Sequence, residues 1–156
     1  MFSRHNLVYA LFALAAIGLI NALYLAVSYY TGASLACSLL DGCNVVAASP
    51  YSKLFGIPLA YFGVLYFIGA LSLGALMLVN AHIISKYAWA VFSYTVLGGM
   101  FSLYFEYLQL GPIGAICIYC QISAFTTWFL MLVAYMLWRR YVTDTHADIS
   151  EGACGE

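Results

Sequence analysis

The stretch AICIYCQISAFTTWFLMLVAYMLW, residues 115–138, decides the fold of this chain. It joins a Cys-x-x-Cys motif, Cys117 and Cys120, to an apolar run long enough to cross a bilayer as one helix. Positions i and i+3 of a helix share a face, so the two sulfur atoms should lie close together. In the first helical turn, unpaired N–H groups and the helix dipole stabilise a thiolate. The stretch therefore predicts a redox-active cysteine pair at a membrane edge, with two inert buried cysteines as the alternative.

Three further apolar runs predict spanning helices, at residues 7–29, 57–79 and 87–110. Of the 156 residues, 65% are hydrophobic and only 7% are charged, which is too few charges to solvate a globular surface. Five Lys and Arg residues cannot form the basic surface that a nucleic-acid partner requires. Because the runs are continuous rather than alternating, helices are favoured over a barrel. We predict an all-α membrane protein, with a four-helix domain at 1–141 and a polar tail at 142–156.

The basic residues predict the orientation of the bundle. One end of the predicted helices carries Lys53 alone, and the other carries Arg4, Lys86, Arg139 and Arg140. Because basic residues accumulate on the cytoplasmic side, we expect both termini in the cytoplasm of a multi-pass cell-membrane protein. The loop at 30–56 and the turn at 111–114 then face outward. An extracytoplasmic compartment is one in which disulfides persist.

The outward loop contains a second cysteine pair, Cys37 and Cys43. Two cysteine pairs on one side of a small protein favour thiol–disulfide exchange between them. A static disulfide that merely closes the loop is the alternative. Zinc is a weaker one, because structural sites usually separate paired cysteines by two to four residues and five lie between Cys37 and Cys43. We therefore expect no metal, and Cys154 in the tail has no predicted partner.

With these motifs the chain resembles the vitamin K epoxide reductase family, in its bacterial and archaeal branch. The resemblance covers nearly all of residues 7–138. Its motifs are, in chain order, Cys37…Cys43, Ser49-Pro50, Phe55-Gly56-Ile57-Pro58 followed by Gly63, and Cys117-Ile-Tyr-Cys120. The combination in this order is far more specific than any one motif.

The resemblance implies a four-helix bundle around a quinone, capped by the extracytoplasmic loop as a lid. It implies that Cys37 and Cys43 accept electrons from a thioredoxin-like partner and pass them to Cys117. Cys120 then delivers the electrons to a quinone of the ubiquinone, menaquinone or vitamin K type. No thioredoxin-like domain follows the spans, so we expect a separate partner protein in the extracytoplasmic space.

Contacts with the quinone ring are expected at two kinds of position: those where this chain matches the family, and those at or near which it departs from the family. Many members carry Asn after Ile-Pro, where this chain has Leu59, and the animal enzymes carry Tyr where it has Ala124. Ser49 matches a loop Ser or Thr near the family's active cysteines. The expected cofactor-binding residues are Ser49, Leu59, Tyr61, Ser123, Ala124 and Thr127.

The sequence thus predicts a quinone-dependent thiol–disulfide oxidoreductase that supports disulfide formation. Two alternatives stay open: a non-catalytic assembly or transport protein with a structural loop disulfide, and an enzyme that reduces vitamin K epoxide itself. Glu106 is the only carboxylate in a predicted span, so it either moves protons to a reduced quinone or reaches headgroups and water. Asn21 is expected to hydrogen-bond across helices.

Overall fold

The computed structural model describes residues 4–35, 42–79 and 81–152. The elements follow in the order α1 (Arg4–Thr31), α2 (Gly42–Ala48), a 3-10 helix (Pro50–Ser52), β1 (Lys53–Leu54), β2 (Ile57–Pro58), α3 (Leu59–Val79), α4 (Ala81–Leu108), a π-helical turn (Gln109–Ile113) and α5 (Ile118–Gly152). Within the described residues, four segments are long and apolar enough to cross a membrane, His5–Thr31, Leu59–Val79, Ala88–Ile113 and Ile118–Arg140. The predicted four-helix membrane bundle is confirmed.

The ends of several helices differ from the prediction, because hydropathy reports contact with lipid rather than helical backbone. The helix α4 begins at Ala81, although the pattern predicts a connector up to residue 86. The helix α5 begins only at Ile118, three residues later than predicted, because Gly114 adopts a left-handed conformation (φ 64°) that interrupts the helix. The same helix continues through most of the predicted polar tail to Gly152, since residues 139–151 contain neither Gly nor Pro.

The helices α1 and α3 pack tightly because small residues line their contact. A Cβ atom added at Gly18 would overlap the ring of Phe67, and one added at Gly74 would lie 3.0 Å from Leu11 Cδ2. Gly63 faces the Cβ atom of Ala22, at 3.6 Å from its own added Cβ. Close backbone approach of this kind drives helix association in a membrane, where burial of apolar surface contributes little. The small residues therefore permit the close contact between α1 and α3.

The bundle is packed densely at one end and opens into a cavity at the other. All four long helices contribute to the dense core; its most buried members include Leu11, Ala15, Phe67, Leu130 and Leu137. A separate small cluster of buried residues, Leu35, Cys43 and Cys117, lies at the end where α1 finishes and α5 begins. The cavity lies between the two clusters and is lined from both sides.

The chain between α1 and α3 covers the open end of the bundle. The short helix α2 is followed by a 3-10 helix that starts at Pro50, where the missing N–H of proline costs no hydrogen bond. A two-residue hairpin turn at Phe55 and Gly56, both with positive φ, then joins β1 to β2. Residues of α2 and of the 3-10 helix line the cavity, so this segment acts as its cap.

Candidate redox site

The approach to Cys117 is a tight turn fixed by Gln109. The backbone N–H of Ala115 donates to the Gln109 carbonyl oxygen (3.2 Å), and the Cys117 N–H donates to Gln109 Oε1 (2.8 Å). The Gln109 side chain is 3% exposed, so both of its contacts lie away from solvent. Pro112 and the left-handed Gly114 reverse the chain between the two helices. The turn therefore places Cys117 at one defined position immediately before α5.

Cys117 caps α5 with its sulfur atom. The backbone N–H of Cys120 donates to Cys117 Sγ (3.3 Å), and Cys120 Sγ lies 2.7 Å from Cys117 Sγ. Both residues carry free thiols. The hydrogen bond from the Cys120 side chain holds the pKa of the Cys117 thiol below its ordinary value, against the opposing effects of burial and of the Glu106 charge. The expectation that Cys117 falls within the first helical turn is corrected, because it is the residue that caps this turn.

Cys43 lies against the Cys117 segment. Both side chains are 1% exposed and belong to the same buried cluster. At the start of α2, a Cβ atom on Gly42 would overlap the carbonyl oxygen of Ile116, so only glycine permits this approach. Cys43 is disulfide-bonded, and its partner is neither Cys117 nor Cys120, whose thiols are free. Cys37, its predicted partner, lies outside the described residues.

A cavity of about 470 Å³ opens beside the four-residue motif. Its walls are mostly apolar and include Cys43, Cys117 and Cys120. Of the expected ring contacts, the cavity is lined by Ser49, Leu59, Ser123, Ala124 and Thr127. Tyr61 is not among the lining residues and is 38% exposed, so its expected ring contact is not supported. A helical position two residues from Leu59 points to a different face of α3.

Hydrogen bonds between helices hold the first turns of α5. Asn21 Nδ2 of α1 donates to the carbonyl oxygen of Tyr119 (2.9 Å) and to Ser123 Oγ (2.8 Å), which confirms the predicted cross-helix bond. Gln121 Nε2 donates to Glu106 Oε2 of α4 (2.6 Å). Glu106 also lines the cavity, so its side chain turns into the bundle and towards the cysteines. The thiol pair is thereby fixed from both neighbouring helices.

Sequence reasoning missed four polar residues of this site: Gln109, Gln121, Tyr66 and Tyr94. Tyr94 Oη donates to the Tyr66 carbonyl oxygen (2.8 Å), and the two rings stack with centroids 5.1 Å apart. Polar side chains are rare in spanning helices, and each one needs a partner or a function. This rarity could have identified some of the missed residues. It applies to the two glutamines. It does not single out Tyr66 or Tyr94, because the chain contains 14 tyrosines.

A model of the vitamin K epoxide reductase family matches residues 9–135, which is most of the chain. The chain belongs to the vitamin K epoxide reductase family. Membership implies membrane thiol–disulfide oxidoreductase activity in general. The vitamin K epoxide reductase family generally uses a quinone as electron acceptor and a thioredoxin-like redox partner.

The cavity fits the quinone that the vitamin K epoxide reductase family uses. Its volume lies within the range of roughly 300–1,000 Å³ that is usual for small-molecule sites. Its walls combine a large apolar area with a few polar side chains, and Cys120 reaches the same space. Moreover, the hydroxyl group of Tyr66 is buried and makes no hydrogen bond within the described part of the chain. A flat apolar ring that carries carbonyl oxygens matches both properties.

Proposed function

We propose that this chain oxidises a separate thioredoxin-like protein, passes the electrons to a quinone, and so supports disulfide formation outside the cytoplasm. One observation carries the proposal: Cys43 and Cys117 pack in one buried cluster, and Cys120 lies on the wall of the adjacent cavity. Thiol–disulfide exchange requires direct attack of one sulfur atom on another. This order of sulfur atoms supports a continuous path from the loop to the cavity.

Electrons enter at the loop pair. A thiolate of the partner attacks the disulfide between Cys37 and Cys43, and the second thiol of the partner resolves the mixed disulfide. The partner leaves with a new disulfide, and both loop cysteines become thiols. Because Cys43 is only 1% exposed, we propose that the partner thiolate attacks the sulfur atom of Cys37.

The electrons then move from the loop pair to the membrane pair. The Cys43 thiolate attacks Cys117 Sγ of an oxidised Cys117–Cys120 pair, forming a Cys43–Cys117 bond and releasing Cys120 as a thiol. Cys37 then attacks Cys43 Sγ, which restores the loop disulfide and releases Cys117. The end state has a disulfide at Cys43 and free thiols at Cys117 and Cys120.

The membrane pair finally loses its electrons in the cavity. The sulfur atoms of Cys117 and Cys120 join in a disulfide and release two electrons and two protons. A quinone, when bound, accepts those electrons and protons. Ser49, Leu59, Ser123, Ala124 and Thr127 would hold its ring, since they line the same space as Cys120. Glu106 would hold a proton on this wall, where Gln121 fixes its carboxylate.

The test is a series of single Cys→Ala variants of the purified protein, assayed with a reduced thioredoxin-like dithiol protein and ubiquinone-1. We expect the loss of any one of Cys37, Cys43, Cys117 and Cys120 to abolish quinol formation, because each forms or resolves a required disulfide. Cys154→Ala is the matched control, since the scheme gives this cysteine no step, and it should keep full activity.

The same variants separate the alternatives. Full activity of Cys120→Ala would exclude the proposed exit of electrons. An inert protein with unreactive Cys117 and Cys120 would favour the non-catalytic alternative. Replacing ubiquinone-1 by vitamin K epoxide in the wild-type assay distinguishes epoxide reduction from quinone reduction.

A further inference from the structure

The hydroxyl group of Tyr66 is an unpaired polar group on the cavity wall. Its oxygen atom is buried, and it has no hydrogen-bond partner among the residues that the structure describes. Thr127 is its polar neighbour, but Thr127 Oγ1 donates to the carbonyl oxygen of Ser123 (2.9 Å). Burying a hydroxyl group without a partner costs free energy, and inside a bilayer no bulk water offsets the loss. A ligand that accepts a hydrogen bond from this hydroxyl group would remove that cost.

Packing holds the Tyr66 ring in this position. The ring stacks on Tyr94 at an interplanar angle of 11° and meets the edge of Phe67 at 72°. Its outer end lies against Gly98 of α4, where an added Cβ atom would lie 2.6 Å from Tyr66 Oη. Tyr94 fixes the backbone at the same residue through its hydrogen bond to the Tyr66 carbonyl oxygen. The hydroxyl group is thus presented on a rigid support rather than on a mobile side chain.

Tyr66 and Cys120 line the same cavity from different helices. Cys120, Ala124 and Thr127 line it from α5 at helical spacing, so this face of α5 extends from the redox pair towards Tyr66. Tyr66 and Gly98 line it from α3 and α4. A ring that reaches Cys120 therefore shares its space with Tyr66.

We propose that Tyr66 is a binding residue that donates a hydrogen bond from its hydroxyl group to a carbonyl oxygen of the ring in this cavity. The inference rests on the proposed function, because it takes a quinone as the ligand. It adds a residue to the contacts expected from the sequence, and it supplies a polar contact in a chain that has Leu59 and Ala124 at the two positions of the family's polar residues. Tyr66 is assigned to binding and orientation, and no electron passes through it.

The test compares wild-type protein with Tyr66→Phe, and uses Tyr104→Phe as the matched control, because Tyr104 is 54% exposed and is not among the residues that line the cavity. All proteins are fully oxidised, so that the cysteines can supply no electrons, and the probes are ubiquinone-1 and menadione. We expect Tyr66→Phe to weaken binding roughly two- to tenfold, as for the loss of one hydrogen bond. In the infrared spectrum of the bound carbonyl-labelled quinone, the band lowered by hydrogen bonding should return towards its free position. Tyr104→Phe should leave this band unchanged.

Stability without quinone gives a second, independent readout. Because the hydroxyl group is unpaired in the free protein, the melting temperature of Tyr66→Phe should equal or exceed that of the wild type. Tyr94→Phe should melt lower, since it loses a hydrogen bond. A lower melting temperature for Tyr66→Phe would mean that the hydroxyl group is satisfied by Thr127, and this would overturn the inference.

The outcomes separate this inference from the proposed function. If the wild type binds both probes and Tyr66→Phe has the same affinity and the same carbonyl band, the Tyr66 assignment is wrong and the redox proposal stands. If the wild type binds neither probe, both are wrong.

Discussion

Cys117 takes part in hydrogen bonds through both its backbone and its sulfur atom. Its N–H is held by Gln109, its sulfur accepts the Cys120 N–H, and the Cys120 thiol donates to the same sulfur. The two donors from Cys120 stabilise the thiolate form of Cys117. The thiolate is the form that attacks a disulfide and the form that leaves from one. Burial opposes this effect, but the hydrogen bond from Cys120 outweighs it and the pKa of Cys117 is lowered.

At this residue we predict that the Cys117 thiolate persists to a lower pH than an ordinary cysteine thiolate. Thiolate absorbance in the ultraviolet, followed against pH in the reduced protein, measures the midpoint. Cys120→Ala removes the donor and should raise the midpoint, whereas Cys120→Ser keeps a donor and should raise it less. A Cys117→Ser variant identifies which part of the signal belongs to Cys117. An unchanged midpoint in Cys120→Ala would contradict the assigned cause.

At the scale of elements, the contact between α1 and α3 depends on glycines whose surroundings differ. Gly18 lies against the ring of Phe67, which is 2% exposed and packed in the core. Gly63, in the same contact, faces only the methyl group of Ala22 at ordinary van der Waals distance. The same substitution, glycine to alanine, should therefore cause a steric clash at Gly18 and none at Gly63.

We predict that Gly18→Ala destabilises the bundle by about 1–3 kcal/mol, as expected when a methyl group is forced into a packed core. Gly63→Ala should be neutral or stabilising by up to about 1 kcal/mol, because alanine favours the helix and meets no clash. Unfolding in mixed detergent micelles, followed by circular dichroism, measures both. Equal destabilisation of the two variants would show that the clash at Phe67 is not the cause.

At the scale of the whole molecule, the fold separates a packed end from a reactive end. The core of α1, α3, α4 and α5 fills one end, whereas the loop, the cysteines and the cavity occupy the other. The proposed orientation places the reactive end outside the cytoplasm, with Lys53 at that end and Arg139 and Arg140 at the far end of the α5 span. Partner access and the persistence of the loop disulfide both depend on this orientation.

For the orientation, we predict that a cysteine introduced at Lys53 reacts with an impermeant maleimide in intact cells. A cysteine introduced at Thr143, which is exposed beyond the other end of the α5 span, should react only after lysis. Both single-cysteine chains carry serine at the five native cysteines. Labelling of the Thr143→Cys chain in intact cells would reverse the proposed topology.

Composition and motif order alone determined the four membrane helices, the family and the candidate cysteines. A long continuous apolar run is stable in a bilayer as a helix, because the helix satisfies its own backbone hydrogen bonds. The three-residue spacing of Cys117 and Cys120 places them on one face of that helix. The ends of α4 and α5 were less well predicted, because hydropathy does not report where a helix stops.

Only the tertiary structure decided which side chains share the cavity. Tyr66 lines the cavity whereas Tyr61 is not among its lining residues, Gln109 holds the N–H of Cys117, and Gln121 holds the carboxylate of Glu106. These residues meet across helices that are distant in the chain, and their rotation is fixed by packing, such as that of Phe67 on Gly18, rather than by local pattern. The approach of Cys43 to Cys117 is decided in the same way, because it depends on the missing side chain of Gly42.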